Sequence, residues 1–203
     1  MRARESPVEG GVRTFGLVSS VTAELLPGLP YQGVAYDEVG GPDGRPMPRA
    51  DLVVQVTAED GTRWIGNFAT GEDGSVDGVY RTFDPERVLV VANGAGYVVG
   101  ATGLRGRVSV EPVSDVVAAV DHGVLLVADG SSIAAHGADM ASERWREQVV
   151  PDELVLDGVV GGVLRGRGYD PAIGDVVSFE VDVVDGSVRY GEGVAPWWRD
   201  AVH

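Results

Sequence analysis

The chain has 203 residues without a cysteine, and 31 acidic residues against 16 basic ones give it a net charge of −15. A chain of this length buries about 70% of its unfolded surface, so its core needs neither a disulfide nor a metal, and the lack of cysteine excludes thiolate ligands and nucleophiles. All the basic residues are arginines scattered along the chain, which argues against nucleic acid as a partner because phosphate binding requires clustered positive charge.

The N-terminal segment, residues 1–12, is polar and has no apolar run able to form the core of a signal peptide. We therefore predict a disordered lead-in and a cytoplasmic protein. No apolar stretch approaches the ~20 residues that cross a bilayer, so a membrane is not expected as a partner. Residues 13–203 are interpreted as a single β-rich domain.

That domain begins with an apolar, β-branched segment at 13–26, which predicts a first strand. Pro27 ends this segment because proline has no N–H to donate to a strand ladder. The Gly/Pro/Asp-rich stretch at 37–48 predicts a mobile loop.

Five apolar runs are then each followed by a glycine-bearing turn and a second apolar run. The turns are Asp60-Gly61, Asn93-Gly94, Asp129-Gly130, Gly161-Gly162 and Asp185-Gly186. Asn-Gly and Asp-Gly tolerate the positive φ values that a tight hairpin turn requires at both central positions. The predicted strand pairs before the last turn are 52–56 with 62–65, 88–91 with 97–99, 124–127 with 133–135, and 154–160 with 163–165.

The clearest alternation of apolar and polar residues lies before the last turn, where Val177, Phe179 and Val181 alternate with polar residues. A period of two places one set inward and the other in water. Regularly spaced hairpins are typical of propellers, sandwiches and barrels. We predict an all-β fold of consecutive antiparallel hairpins, propeller-like or sandwich-like, with very little helix. The one helical candidate, 138–148, is equally compatible with a polar excursion between hairpins.

Several short motifs follow one another from about residue 52 onward. They are Phe83-Asp84-Pro85, Asn93-Gly94-Ala95-Gly96-Tyr97, Ile133-Ala134-Ala135-His136-Gly137, Trp145-Arg146 and Gly166-Arg167-Gly168-Tyr169-Asp170-Pro171. In this order of motifs the chain resembles a family of uncharacterised β-rich proteins of similar length from bacteria and plants. The segment 123–137 with the downstream Trp145-Arg146 is also similar to a blade of quinoprotein-type β-propellers. The resemblance implies an all-β fold and no particular activity.

One loop has the residue types of a calcium site. Asp73, Ser75 and Asp77 occupy positions 1, 3 and 5, Gly78 occupies position 6, and Asp84 occupies position 12. Oxygen ligands at these positions are typical of a Ca²⁺ loop, but position 12 is normally a bidentate Glu and amphipathic helices normally flank the loop. A calcium site and a plain surface turn therefore both stay open, and no other cofactor is expected.

Two further groups of residues are candidates for function. The pair Trp197-Trp198 lies in a short polar tail and must either dock on the domain or bind something else, so it is a candidate interaction site. A grouping of Ser131 or Ser132, His136 and Asp139 has the residue types of nucleophilic catalysis. It lacks a nucleophile elbow, so we expect a strand-end histidine bonded to the backbone instead.

With so few catalytic candidates, we expect a non-catalytic binding or protein-interaction module, of an inhibitor or immunity type, rather than an enzyme. Its acidic surface would steer it toward a basic protein partner. The alternative is a small carbohydrate-binding or carbohydrate-active protein, in which carboxylates and aromatic rings such as Trp64, Tyr80 and Tyr97 would line a cleft.

Overall fold

The computed structural model describes residues 8–9, 11–30, 34–40, 52–71, 76–140, 142–191 and 196–200. These residues form 18 strands in four mostly antiparallel sheets, a 3₁₀ turn at Val120–His122 and a single helical turn, α1, at Trp197–Asp200. The predicted all-β fold is confirmed. Within the described ranges no helix is long and apolar enough to span a membrane.

In chain order the strands are β1 (Val8–Glu9), β2 (Val12–Arg13), β3 (Val21–Leu26), β4 (Asp37–Val39), β5 (Leu52–Ala58), β6 (Arg63–Phe68), β7 (Gly78–Arg81), β8 (Arg87–Ala92), β9 (Ala95–Gly100), β10 (Gly103–Arg107), β11 (Asp115–Ala119), β12 (Val124–Ala128), β13 (Ser132–His136), β14 (Glu143–Gln148), β15 (Asp152–Val160), β16 (Val163–Asp170), β17 (Asp175–Asp182) and β18 (Val188–Tyr190). The described chain separates into two compact units, of which the first ends at Pro112 and the second begins at Val113. This is a finer division than the single domain that the sequence predicts.

The first unit contains a six-stranded sheet in the order β1-β2-β7-β8-β9-β10 and a four-stranded sheet in the order β3-β5-β6-β4. Their apolar residues form one core, in which Val54, Val90 and Tyr97 are fully buried. Within this unit, β2 lies parallel to β7 and β4 lies parallel to β6, whereas the other pairings are antiparallel.

The start of the chain differs from the predicted lead-in and first strand. Strand β1 and the first residue of β2, Val12, lie in the segment 1–12 that we expected to be disordered; the two strands pair with each other, and Val12 is buried in the core. The predicted strand at 13–26 is correct only for β3. It is interrupted because the chain turns at Phe15, whose φ is +51° and whose ring stacks on Tyr80 instead of continuing a ladder. Residues 37–39 of the predicted loop form β4, and 41–48 lie outside the described residues.

The second unit contains two four-stranded sheets, β11-β12-β13-β14 and β15-β16-β17-β18, whose strands are adjacent in chain order. One core joins them and includes Leu126, Ile133, Leu164 and Phe179. Strand β12 is buried along its whole length, whereas β16 and β17 bury only alternate residues. The sheet formed by β15–β18 therefore has one solvent-exposed face.

The five predicted turns all connect adjacent antiparallel strands. Asn93 and Gly94 have φ values of 43° and 86°, and Gly161 and Gly162 have values of 59° and 80°. Positive φ at both central residues is the geometry of the type I′ hairpin turn, and it follows from the Asn-Gly and Gly-Gly pairs.

The helical candidate at 138–148 is wrong. Residues 143–148 form β14, which pairs with β13. The indole of Trp145 packs against the core of the second unit and donates from Nε1 to Val183 O at 3.1 Å. Helix propensity is a weak preference that such tertiary contacts override.

Candidate interaction surface

The exposed face of the β15–β18 sheet combines charged side chains with exposed valines. We call it the outer face and define it by Val155, Val160, Arg165, Val176, Glu180 and Arg189. Alternation along each strand places these side chains on the side opposite the core. The pairing registers confirm this, because residues directly opposite each other on paired strands share a face.

A row of three charged residues crosses the middle of the outer face. Arg165 on β16 lies opposite Glu180 on β17, and Glu180 lies opposite Arg189 on β18. Arg165 Nε donates to Glu180 Oε1 at 3.0 Å, with both side chains largely exposed. Arg189, also exposed, forms no ion pair with a described carboxylate. The order along the row is therefore cation, anion, cation.

A groove of about 440 Å³ lies along this row. Asp157, Ser178 and the three residues of the row line it, and the backbone of Gly191 borders one end. Among the described residues, no atom lies within 4 Å of the position that a Cβ on Gly191 would take. The groove therefore combines charged groups with a hydroxyl and has room beside Arg189.

A β-bulge in β15 determines which of its side chains reach the outer face. Leu156 pairs with Gly166 and Gly158 pairs with Arg165, so Asp157 is an extra residue in the ladder. Asp157 uses this position to form an ion pair with Arg167 on the same face. Beyond the bulge, Val159 packs against the core and Val160 faces out.

Exposed valines flank the charged row. Val155 is 44% exposed, Val160 is 70% exposed and Val176 is 56% exposed. Outward positions of a one-sided antiparallel sheet are normally polar, so three valines on the same face depart from the usual pattern. Single exposed apolar residues are common, but several apolar side chains around two arginines have the composition of a binding interface.

The carboxylates at the β17–β18 turn are engaged in holding that turn. Asp182 Oδ1 accepts from Val184 N at 2.8 Å, and Asp185 Oδ1 accepts from the hydroxyl and the backbone N–H of Ser187. The hydrogen bond from the Ser187 hydroxyl, followed by that from its backbone, lowers the pKa of the Asp185 carboxyl. Arg189 also lowers the pKa of Asp185, to a smaller extent than these hydrogen bonds, although the two side chains do not form an ion pair.

The tail tryptophans predicted as an interaction site occupy different environments. Trp198 is 3% exposed and belongs to the core of the second unit, with its ring edge-on to Tyr190. Trp197 is 47% exposed and donates from Nε1 to the buried carboxylate of Asp170 at 3.0 Å. Within residues 196–200 the tail is docked through Trp198, and of the two tryptophans Trp197 is the one with surface left to offer a partner.

The calcium candidate lies partly outside the described residues, which omit Asp73 and Ser75. Asp77 Oδ1 accepts from the backbone N–H of Asn93 at 2.6 Å. Asp84 forms an ion pair with Arg87 at 2.9 Å and accepts from the backbone N–H of Glu86. Across the described ranges no three His, Asp or Glu side chains are arranged to hold a metal. Both described carboxylates thus serve turns of the first unit, and the calcium site stays a prediction.

The candidate catalytic grouping is not brought together. Ser132 and His136 lie at opposite ends of β13, about 13 Å apart at the usual rise per residue. The Ser131 hydroxyl donates to Asp129 within its own turn. His136 is buried, and burial lowers the pKa of its imidazole despite the opposing influence of Glu143. This histidine is therefore an interior residue of β13 and not part of a catalytic grouping.

The aromatic rings of the first unit do not form an open stacking platform. Tyr80 and Tyr97 are fully buried, and the Tyr97 hydroxyl donates to Ala69 O at 2.9 Å. Burial raises the pKa of Tyr97. Trp64 is partly buried and donates to Asp37 Oδ2 at 2.6 Å. These rings serve packing and internal hydrogen bonds.

A second groove, of about 340 Å³, borders Tyr97, Arg107 and Glu111 in the first unit. Its charged groups are already matched, because Arg107 forms an ion pair with Glu111 at 2.6 Å and lies over the Tyr97 ring. It therefore offers a ligand less unpaired charge than the groove on the outer face.

Sequence reasoning did not single out Arg165, Glu180 or Arg189. The alternation of apolar and polar residues in β17 places Glu180 outward, and this alternation is visible in the sequence. The pairing of β16, β17 and β18 that puts the three charges in one row depends on register. Comparison with family models and with curated proteins found no match for the chain.

Proposed function

We propose that the protein is a non-catalytic interaction module that binds a partner protein through the outer face of β15–β18. The observation that carries this proposal is the composition of that face, with exposed valines on both sides of an Arg–Glu–Arg row. Interface cores typically combine apolar side chains and arginine in this way.

The energetics support a docking surface. Fully burying a valine contributes about 1.5–3 kcal/mol, so covering side chains that are 44–70% exposed would contribute about 1 kcal/mol each. The ion pairs on this face are solvent-exposed and worth at most about 1 kcal/mol each, so a partner can rearrange them at small cost. Stabilisation on binding would therefore come mainly from covering the valines and excluding water from the groove.

The net charge of −15 affects the rate at which a charged partner encounters this protein. Strong negative charge accelerates the encounter with a basic protein, and this acceleration weakens as salt is added because salt screens the charges. An inhibitor or immunity-type role is compatible with such steering and stays a prediction, as does the resemblance to β-rich proteins and propeller blades.

The test compares partner binding by the wild-type chain with that of Val160→Asp and Val176→Asp. The matched control is Val120→Asp, because Val120 is 49% exposed but lies on the 3₁₀ turn outside this sheet. A partner captured from the native lysate is identified, purified and titrated calorimetrically against each variant. We expect binding at least 10-fold weaker for the two outer-face variants and unchanged for the control, at unchanged melting temperature.

Two results would refute the proposal. One is a partner whose affinity is equal for all four proteins. The other is the absence of any specific partner at both low and high salt, since steering affects encounter rate and should not conceal a stable interface.

A further inference from the structure

The charges within the groove are unequally matched. Asp157 is paired with Arg167, and Glu180 is paired with Arg165. Arg189 is the charged residue of the groove that has no ion pair with a described residue. The groove therefore presents one guanidinium that has no direct ion pair with a described residue, although the carboxylates of Asp185 and Glu180 lie on neighbouring positions.

A second hydrogen-bond donor lies within reach of the same space. Ser178 precedes Glu180 by two residues on β17 and lies opposite Gly191, whose backbone N–H donates to Ser178 O. Arg189 and Ser178 are diagonal neighbours across the β17–β18 pair, a separation that long side chains bridge. Because Gly191 has no side chain and no described atom lies within 4 Å of its Cβ position, a group can enter between the guanidinium and the hydroxyl.

We infer that this groove receives a carboxylate of the partner protein, held by Arg189 with Ser178 as a second donor. The inference rests on the proposed function and specifies its partner. Arginine binds carboxylates through two parallel hydrogen bonds, which favours a planar anion over a hydroxyl or an amide. The partner protein therefore presents an acidic side chain flanked by apolar residues, since Val160 and Val176 lie on the same face.

The inference is compatible with a partner that is basic overall. Net charge acts at long range and sets the encounter rate, whereas the carboxylate acts only within the closed interface. The Arg165–Glu180 pair limits repulsion, because Glu180 is held by Arg165 on the side away from Arg189.

The test uses a displayed library of random twelve-residue peptides, selected against the full-length protein. Enriched peptides are synthesised and titrated against the wild type, Arg189→Gln and Arg63→Gln. Arg63 is the matched control because it is exposed on β6, has no ion pair with a described residue and removes the same charge. We expect enriched peptides to contain Asp or Glu between apolar residues and to bind Arg189→Gln about 10- to 100-fold more weakly. Binding to Arg63→Gln should be unchanged.

The variants separate failure of this inference from failure of the proposed function. Some peptides could lose affinity for Val176→Asp but bind Arg189→Gln as well as they bind the wild type. That result would refute the carboxylate as the ligand of Arg189 and would leave the proposed binding through the outer face supported. Peptides whose acidic residue can be replaced by its amide without loss would do the same. Enriched peptides that bind all outer-face variants equally, or no enrichment at all, would overturn both.

Discussion

Replacing Trp198 with alanine should destabilise the second unit more than any change at its neighbour Trp197. The Trp198 side chain is 3% exposed and packs edge-on against Tyr190 and Trp197, with ring centroids 5.7 and 6.0 Å away. Removing a buried tryptophan side chain typically costs about 3–5 kcal/mol, which combines lost burial with the cavity that remains. Because small domains are stable by only about 5–15 kcal/mol, this is a large share of the total.

Trp197→Ala supplies the comparison. Its ring is 47% exposed, and its one hydrogen bond reaches Asp170 Oδ1, which also accepts from Ala172 N at 2.9 Å. The carboxylate thus keeps a partner, and we expect a loss of only about 1 kcal/mol.

The assay is urea unfolding of both variants and the wild type, followed by far-ultraviolet circular dichroism. We expect the free energy of unfolding to fall by about 3–5 kcal/mol for Trp198→Ala and about 1 kcal/mol for Trp197→Ala. A Trp198→Ala loss below about 1 kcal/mol would refute the burial argument. So would a larger loss for Trp197→Ala than for Trp198→Ala.

Two further predictions concern a titrating residue and a close approach. Burial lowers the pKa of His136, so the unfolded chain binds a proton that the folded chain does not. The free energy of unfolding should therefore fall as pH drops below about 6.5, and His136→Gln should weaken that dependence; equal pH slopes for the two proteins would contradict this. Gly166→Ala would place a Cβ 2.8 Å from Val155 O and against the Phe179 ring, whereas Gly106→Ala has open space. Urea unfolding should show a loss of about 1–3 kcal/mol at Gly166 and little change at Gly106, and equal losses would exclude the steric explanation.

Hairpin positions were predictable because their signals are local. The Asn93-Gly94 and Gly161-Gly162 pairs tolerate the positive φ values of a type I′ turn, and apolar runs on both sides supply the strands. The side chains of β17 that face the core were also predictable from local signals, since apolar and polar residues alternate without interruption over 177–183.

The prediction failed where distant contacts override local preference. Residues 143–148 carry charged residues compatible with a helix, yet Trp145 packs across the chain beside Gly186. A Cβ at Gly186 would lie 2.8 Å from the indole, so this contact depends on a glycine 41 positions away, 186 − 145. No pattern in the residues around Trp145 predicts its contact with Gly186.

The candidate site illustrates the same limit. Simple alternation from Leu154 would place Val160 inward, and only the bulge at Asp157 turns it outward. The bulge exists because of how β15 pairs with β16, so it is not a property of the β15 residues alone.

Residues close together in the chain determined that this protein is made of antiparallel hairpins, because turn geometry and strand alternation depend on a few neighbouring side chains. The tertiary structure alone decided which sheet face meets solvent and which charges share a row on it. Those outcomes depend on strand register and on burial against distant segments, and the row of Arg165, Glu180 and Arg189 forms only when three strands align.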